Sequence, residues 1–405
     1  MLKDWLKNIA VLLKGLWSHR RTIRYLLNRR GLRAVYNFLC VKFFVIAGGE
    51  GTGNWLGGLI NPLFRLFPQL KPYLMPYPFT IEIEVTNKCN KKCIICEHTY
   101  WSESNLDLSF EDFKSIIDQF PGLKWINLTG EGDIFLNKDY LRMIRYLKAR
   151  DVVVFFSDSF DLLDEGVSWE LIKLGVDGIW MSIDAASKDT YEKIKAGCSF
   201  ERSIGNIRTL IELKKKMKSP IPEVSFRYAV TTLNVQEMPQ FVEWVHSLGG
   251  RDMLGPGSHI EFAGLLSFKE IEDYYLPRIP QEIIQATLDT AKNLDVRVSF
   301  AHPAQSSELS DMKHCAAWAE PYIMMGGYVM PCCAVMMSNR RDFLRKYALG
   351  NLLQRPFKEI WYSQRYRQFR KTICQQKGRV PILCRGCRAF NTLKREREYG
   401  VRNEV

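Results

Sequence analysis

Between Phe79 and Asn293 the chain alternates short runs rich in β-branched and aromatic residues with longer amphipathic stretches, and this alternation constrains the fold more than any other feature. The short runs are Thr80–Thr86, Trp125–Thr129, Val152–Ser157, Gly178–Ile183, Val224–Val230 and His259–Phe262. The helical stretches include one from Leu108 to near Phe120, with Ser109 as N-cap and Asp112 three positions on, then Tyr140–Arg150, Phe200–Lys216, Pro239–Leu248 and Pro280–Asn293. Strand–helix units repeated this way predict a parallel sheet with crossover helices. Ligands of such sheets gather just beyond the C-terminal ends of the strands.

The loop beyond the first run, Glu84-Val-Thr-Asn-Lys-Cys89-Asn-Lys-Lys-Cys93-Ile-Ile-Cys96, places three thiols at metal-binding spacing. Three cysteines cannot close the four-thiolate sphere that an ordinary iron–sulfur cluster takes, so a cubane held here keeps one iron open to another ligand. A structural zinc knuckle is the competing reading, with His98 as a fourth ligand.

A second set lies near the C-terminus. Cys315, Cys332, Cys384 and Cys387 supply four thiolates, enough for a complete cluster or for a four-cysteine zinc site. The run Tyr322–Met330 alternates around Gly326-Gly327 and predicts a β-hairpin joining the first two of these ligands. Cys333 is an alternative to Cys332, Cys374 is left over, and Cys40 and Cys198 read as inert buried thiols. Eleven cysteines, odd in number and clustered at metal spacings, do not form a disulfide framework, which argues for a reducing cytoplasm.

The net charge of +13 is unevenly distributed: residues 1–45 carry ten Lys or Arg against the single acid Asp4. The basic character therefore belongs to an N-terminal extension, and no nucleic-acid partner is expected from it. Leu2, Trp5, Leu6, Ile9, Leu12, Leu13, Leu16 and Trp17 recur at helical spacing, with Lys3, Lys7 and Lys14 elsewhere around the wheel. Two readings stand: an in-plane anchor on a membrane surface, peripheral to the inner membrane, or helices packed on the body or a partner. The apolar run at Val41–Ala47 is broken by Lys42 and falls short of the roughly 20 residues that span a bilayer. Lys14 interrupts the first apolar run and no small-residue cleavage site follows, so a signal peptide is not expected. Residues 48–78 read as a Gly/Pro-rich linker; their glycines are not a phosphate loop, because no Lys-Ser or Lys-Thr closes the pattern.

The C-x3-C-x2-C pattern just after a first strand, preceded by Thr86-Asn87, resembles the radical S-adenosylmethionine (radical SAM) family. Ile95 departs from it, standing where an aromatic residue is common. The resemblance implies an α/β fold: an open, partial (β/α)6 TIM-like barrel over residues 79–300, after a basic helical extension and linker at 1–78. It also implies two cofactors at the first cysteines, a [4Fe–4S] cluster and SAM, and reductive SAM cleavage to a 5′-deoxyadenosyl radical that takes hydrogen from a substrate C–H. Gly130-Glu131-Gly132-Asp133 looks like the segment receiving the SAM amino group, although the family's usual proline is replaced by Gly132. Ser157, Ser182, Asp184, Arg227 and Asn234 follow in family order as further SAM-site residues, Arg227 for the SAM carboxylate. The C-terminal cysteines resemble the auxiliary-cluster domains called SPASM and twitch, implying one auxiliary [4Fe–4S] cluster within 301–405.

An electron donor such as flavodoxin or ferredoxin follows from the same resemblance. The substrate reads as a peptide, a sugar or a lipid-linked molecule undergoing oxidation or epimerisation. The alternative is a noncatalytic scaffold that binds iron–sulfur or zinc. His98, Tyr100, Asp158, His259, His302 and His314 are the candidate general bases, with nothing in the sequence to choose among them.

Overall fold

The computed structural model describes residues 13–44, 77–265, 268–301, 320–333, 340–375 and 381–384. Expectations that fall on residues 1–12 and 48–76, on Cys315 and Cys387, and on His302 and His314 lie outside the described residues.

Seven parallel strands form the body: β1 Thr80–Glu84, β2 Trp125–Thr129, β3 Val153–Asp158, β4 Gly178–Ser182, β5 Glu223–Val230, β6 Ile260–Gly264 and β7 Val298–Ala301. Helices alternate with them, among them α1 Phe110–Asp118, α2 Tyr140–Lys148, α3 Lys188–Ile194, α4 Phe200–Lys216 and α5 Met238–Ser247. The six expected strands are present within a residue or two of their expected bounds at most ends. The seventh was not expected, because four residues with every second side chain exposed give little apolar periodicity. At α1, Ser109 Oγ accepts from Asp112 N, as an N-cap does.

On β5 the side chains Phe226 and Tyr228 pack outward on Phe241 and Trp244 of α5. Residues of the other parity, among them Glu82, Asn127, Ser157, Trp180, Arg227 and Glu261, therefore line the concave inner face. Asn127 Nδ2 donates to Glu82 Oε2 at 3.2 Å across neighbouring strands of that face.

The C-terminal unit is part of the same sheet. Strand β8, Tyr322–Met324, pairs parallel with β1 on the edge opposite β2, and β9, Tyr328–Met330, returns antiparallel to β8. The turn between them holds Gly326 and Gly327 at φ +84 and +82, so the hairpin expected around these glycines is present. Strand β10, Gly350–Asn351, completes a ten-stranded order β10-β9-β8-β1-β2-β3-β4-β5-β6-β7.

The N-terminal helices, Arg20–Arg30 and Leu32–Leu39, sit at the opposite end of the strands from the cysteine loop. Leu26 and Phe38 pack on Val153 and Ile221, Asn37 Nδ2 donates to Asp151 O at 3.0 Å, and Lys42 pairs with Glu223 at 2.7 Å. Of the two readings of this segment, packing on the body holds for these helices.

Candidate active site

The cysteine loop leaves β1 through a fixed turn. Asn87 Nδ2 donates to Ser104 O at 2.9 Å and its Oδ1 accepts from Leu106 N at 2.6 Å, so the Thr-Asn pair shapes the loop. Lys92 N donates to Ala196 O at 2.8 Å and Ile94 N to Ile194 O at 2.9 Å, which seats the loop on the segment after α3. Cys89, Cys93 and Cys96 are all free, and Cys96 lies in electrostatic range of both other thiols. Burial pushes the Cys89 and Cys96 thiols up; the Cys93 thiol is pushed up by a hydrogen bond with Cys198 and then by burial. Three desolvated thiols of this kind become thiolates when a metal supplies the countercharge. His98 Nε2 lies 2.9 Å from Asn87 O and its ring packs on Trp101, and among the described residues His98 does not group with the cysteines as a metal ligand.

The β2 loop is pressed against the cysteine loop. A Cβ on Gly132 would stand 2.5 Å from Thr86 O and 2.7 Å from Lys88 O, and one on Gly130 would stand 2.6 Å from Glu84 Cγ. Backbone contacts that close leave no room for a proline ring at 132, which accounts for the departure from the family pattern. Asp133 is buried in an ion pair with Lys91, and its backbone N–H donates to Lys88 O at 2.7 Å. Its carboxylate therefore ties the two loops together. Between the loops, one ligand atom each from Cys96, Glu97 and Glu131 lies within 4.8 Å of the others. Burial pushes the Glu97 carboxyl up to about 7, and burial together with Glu97 and Glu84 raises Glu131 well above the carboxylate range. Two acids sharing a dry space in this way form a receptor for a cation.

Glu84 at the end of β1 is the hub beneath them. Its Oε2 accepts from Met325 N at 2.7 Å and from the Arg341 guanidinium, and its Oε1 accepts from Glu131 N at 3.4 Å. Arg341, on the helix Arg341–Tyr347, also lies over the Trp101 ring at 4.7 Å.

Further round the barrel, the expected residues divide. Lys195, at the end of α3, donates to Ser182 Oγ at 3.0 Å and pairs with Asp184 at 2.8 Å. Burial lowers its pKa, but Asp184 and then Cys93 more than offset this, so it remains a buried cation beside the cysteine loop. Ser157 is half-buried on the inner face of β3, and Asp158 is buried and pushed up to about 7, chiefly by desolvation. Asp158 Oδ1 accepts from Phe160 N at 2.5 Å, which makes it a turn former first. Arg227 faces the interior but is paired with Glu261, Nε to Oε2 at 2.8 Å. Asn234 is fully buried: its Oδ1 accepts from Thr231 N, and its Nδ2 donates to Asp184 O and Ala229 O. Its amide is consumed in holding the β5 turn.

Residues 83–245 match the radical SAM superfamily, and residues 315–388 match the SPASM iron–sulfur cluster-binding domain. The chain belongs to the radical SAM superfamily. A curated relative, the tungsten-containing aldehyde ferredoxin oxidoreductase cofactor-modifying protein of Pyrococcus furiosus, is 24% identical over 312 residues, covering 71% of this chain and 82% of the relative. A probable GTP 3′,8-cyclase of Methanocaldococcus jannaschii is 24% identical over 270 residues, covering 62% of this chain and 84% of its own length. Among solved structures, Streptococcus suis SuiB bound to precursor peptide SuiA superposes with a TM-score of 0.59 at 13% identity, covering 91% of this chain and 86% of that one. Native anSMEcpe with bound AdoMet gives 0.52 at 16% identity, covering 79% and 97%. At these identities the superpositions show the fold.

The protein is thus a radical SAM enzyme whose cofactors are SAM, a [4Fe–4S] cluster and an auxiliary cluster. The donor sets fit them. Three loop thiols with no fourth protein ligand on the loop suit a cluster that leaves one iron for SAM. In the SPASM part, Cys332 and Cys384 are buried, and Cys332 packs in one cluster with Leu383, the neighbour of Cys384. Cys333 turns the other way and hydrogen-bonds Glu82 on the inner face. Burial raises Glu82, and burial with Glu82 raises Glu320 to about 8. Sequence reasoning missed Glu97, Lys195, Glu82 and Arg341. Only Glu97 carried a local signal, its adjacency to Cys96.

Proposed function

We propose that this radical SAM enzyme abstracts hydrogen from a C–H bond of a polar substrate held on the inner face of the barrel, in an oxidation or an epimerisation. The observation that carries this is the placement of Cys89, Cys93, Cys96, Glu97 and Glu131 at the strand ends, directly above an interior lined by Glu82, Asn127, Cys333 and Arg227. The first cluster, when bound, supplies the electron that cleaves SAM to the 5′-deoxyadenosyl radical. Cys89, Cys93 and Cys96 hold that cluster; Glu131 with Glu97 receives the SAM ammonium. Lys195, in electrostatic range of Cys93 and beside Ser182, stands next to the first cluster site and is the partner proposed for the SAM carboxylate. It and Arg227 each already hold a carboxylate, Asp184 and Glu261. Cys332 and Cys384, with Cys315 and Cys387, hold the auxiliary cluster. A small electron carrier such as flavodoxin or ferredoxin is the partner this chemistry requires. The test is anaerobic reconstitution with iron and sulfide, reduction, and detection of 5′-deoxyadenosine from SAM. Metal-loaded protein that leaves SAM intact would favour the scaffold alternative.

A second reading concerns location. Among the described residues no helix is long and apolar enough to cross a membrane. Trp17 is 68% exposed and Leu32 78%, with Leu13, Leu27 and Tyr36 also exposed among Arg20, Arg21, Arg24 and Arg29. Apolar groups interleaved with arginines suit reversible contact with an anionic bilayer surface. Because these helices cap the end of the barrel opposite the cysteine loop, such contact turns the site away from the bilayer. A lipid-linked substrate gains no support from it. Full-length protein should co-sediment with anionic vesicles in a salt-sensitive way, and a chain starting at Tyr77 should not; equal partitioning would remove this reading.

A further inference from the structure

The N-terminal extension is one of two basic segments. Residues 340–405 carry eighteen Lys or Arg against five acids, while residues 46–339 carry twenty-nine against thirty-eight, so the chain between the two basic ends is net acidic. Part of the C-terminal charge is consumed inside the fold: Arg341 pairs with Glu84, Arg345 with Glu103 and Asp342, and Arg355 with Glu359. Lys346, Arg365, Arg367 and Lys371 are exposed, and none of them pairs with a carboxylate among the described residues. The helix Arg341–Tyr347 sets part of this charge over the thiols read as auxiliary ligands. Leu344 and Ala348 pack inward in one apolar cluster with Cys332 and Leu383, and Phe343, Tyr347 and Ile382 cover the edge of that cluster. The Phe343 and Tyr347 rings stand 4.8 Å apart. Around them, Arg340 lies over Phe343 at 5.4 Å, Lys346 over Tyr347 at 5.5 Å, and Arg365 Nη2 donates to Lys346 O at 3.3 Å. An aromatic centre with a cationic rim has the anatomy of a protein-docking face.

We propose that this face, built on Phe343, Tyr347, Lys346 and Arg365, is where the electron carrier docks, a small protein with an acidic surface of the flavodoxin or ferredoxin class. Two observations select that occupant. SAM cleavage requires such a carrier, and the exposed charge of the face complements an acidic partner, which speeds encounter and fixes orientation. Cys332 lies in the apolar cluster directly beneath, and Cys384 follows Leu383 of the same cluster, so the face covers a redox site. The other basic segment caps the end of the barrel away from the cysteine loop and has no cysteine set beneath it among the described residues. The inference rests on the reading of Cys332 and Cys384 as auxiliary ligands.

The test uses the full-length protein, reconstituted anaerobically, with a purified flavodoxin as the probe. Wild type is compared with Lys346→Glu plus Arg365→Glu, and with a charge-matched control on the N-terminal helix, Arg24→Glu plus Arg29→Glu, where both arginines are also exposed. Calorimetry at low and physiological salt reads the Kd, and stopped-flow absorbance reads the oxidation of reduced flavodoxin by each protein. Reversal on the SPASM face should raise Kd at least about tenfold at low salt, and less at high salt, while the N-terminal reversal stays within about twofold of wild type. Flavodoxin oxidation should slow in step with Kd, whereas dithionite should reduce all three proteins alike at equal iron content, which separates a lost dock from a lost fold. Lys346→Gln plus Arg365→Gln, which removes the charge without reversing it, should show a smaller loss in the same direction. Unchanged flavodoxin affinity on reversal of the face overturns the proposal. So does an equal loss in both reversals, which would make the attraction one of net charge alone. Loss of binding to anionic vesicles with flavodoxin binding intact would make the face a lipid surface and also overturns it. Failure of the underlying reading shows separately: Cys332→Ala plus Cys384→Ala that retains full iron content means that these residues hold no cluster.

Discussion

Replacing Arg341 with methionine removes one half of a buried ion pair that joins the SPASM part to the first strand. Glu84 is 0% exposed and Arg341 2%, so neither charge has water to fall back on. With the guanidinium gone, Glu84 retains, among the described residues, only Met325 N at 2.7 Å and Glu131 N at 3.4 Å as donors. Leaving a buried charge uncompensated costs about 3–5 kcal/mol. The arginine is itself incompletely served, since its Nε and Nη1 are buried without a hydrogen-bond partner among the described residues. Replacing both residues, Glu84→Gln with Arg341→Met, should therefore recover more than half of the loss. Urea unfolding of the anaerobic protein, followed by far-UV CD and by iron release, reads both changes. Because Glu131 N rests on the same carboxylate, the single variant should also bind SAM more weakly. A single-variant loss below about 1 kcal/mol, or a double variant no more stable than the single, would refute the reasoning.

Three other outcomes follow from the site. Gly132→Ala drives a Cβ onto two backbone carbonyls and should cost about 1–3 kcal/mol in urea unfolding, with poorer iron retention; unchanged stability would show that the two loops can part. SAM affinity should fall with pH below about 7, where Glu97 holds its proton, because an incoming ammonium favours the ionised acid and must displace that proton. One displaced proton gives about a tenfold rise in Kd per pH unit, readable by calorimetry in buffers of different ionisation heat; a flat profile from pH 6 to 8 would contradict it. Lys195→Met should weaken SAM binding more than Arg227→Met, while both keep their iron, and the reverse order would return the carboxylate to Arg227.

Much of this was legible in the chain. The barrel was readable because alternating apolar runs and capped helices are local signals, and Phe200–Lys216 is a helix over the expected span. The hairpin was readable from paired glycines between alternating runs, and the first cysteines from their spacing. What escaped depends on which neighbour a side chain meets. The motif assigns Arg227 to the SAM carboxylate and says nothing of the partner on the next strand, where Glu261 faces it. Asn234 was assigned to SAM, yet its donors and acceptor close a turn. Lys195 and Cys198 reach Cys93 only because the α3 loop folds under the cysteine loop, a contact between distant segments that no periodicity announces.

The proposed function requires two independent clusters held by two separate cysteine sets, the first of them by three thiols alone. Iron and sulfide counts on wild type and on the Cys89→Ala, Cys93→Ala, Cys96→Ala triple variant, both reconstituted anaerobically, test it most directly. Wild type should bind about eight irons and the triple variant about four, with 5′-deoxyadenosine formed from SAM by wild type alone. A triple variant that kept all of its iron, or lost all of it, would contradict the assignment.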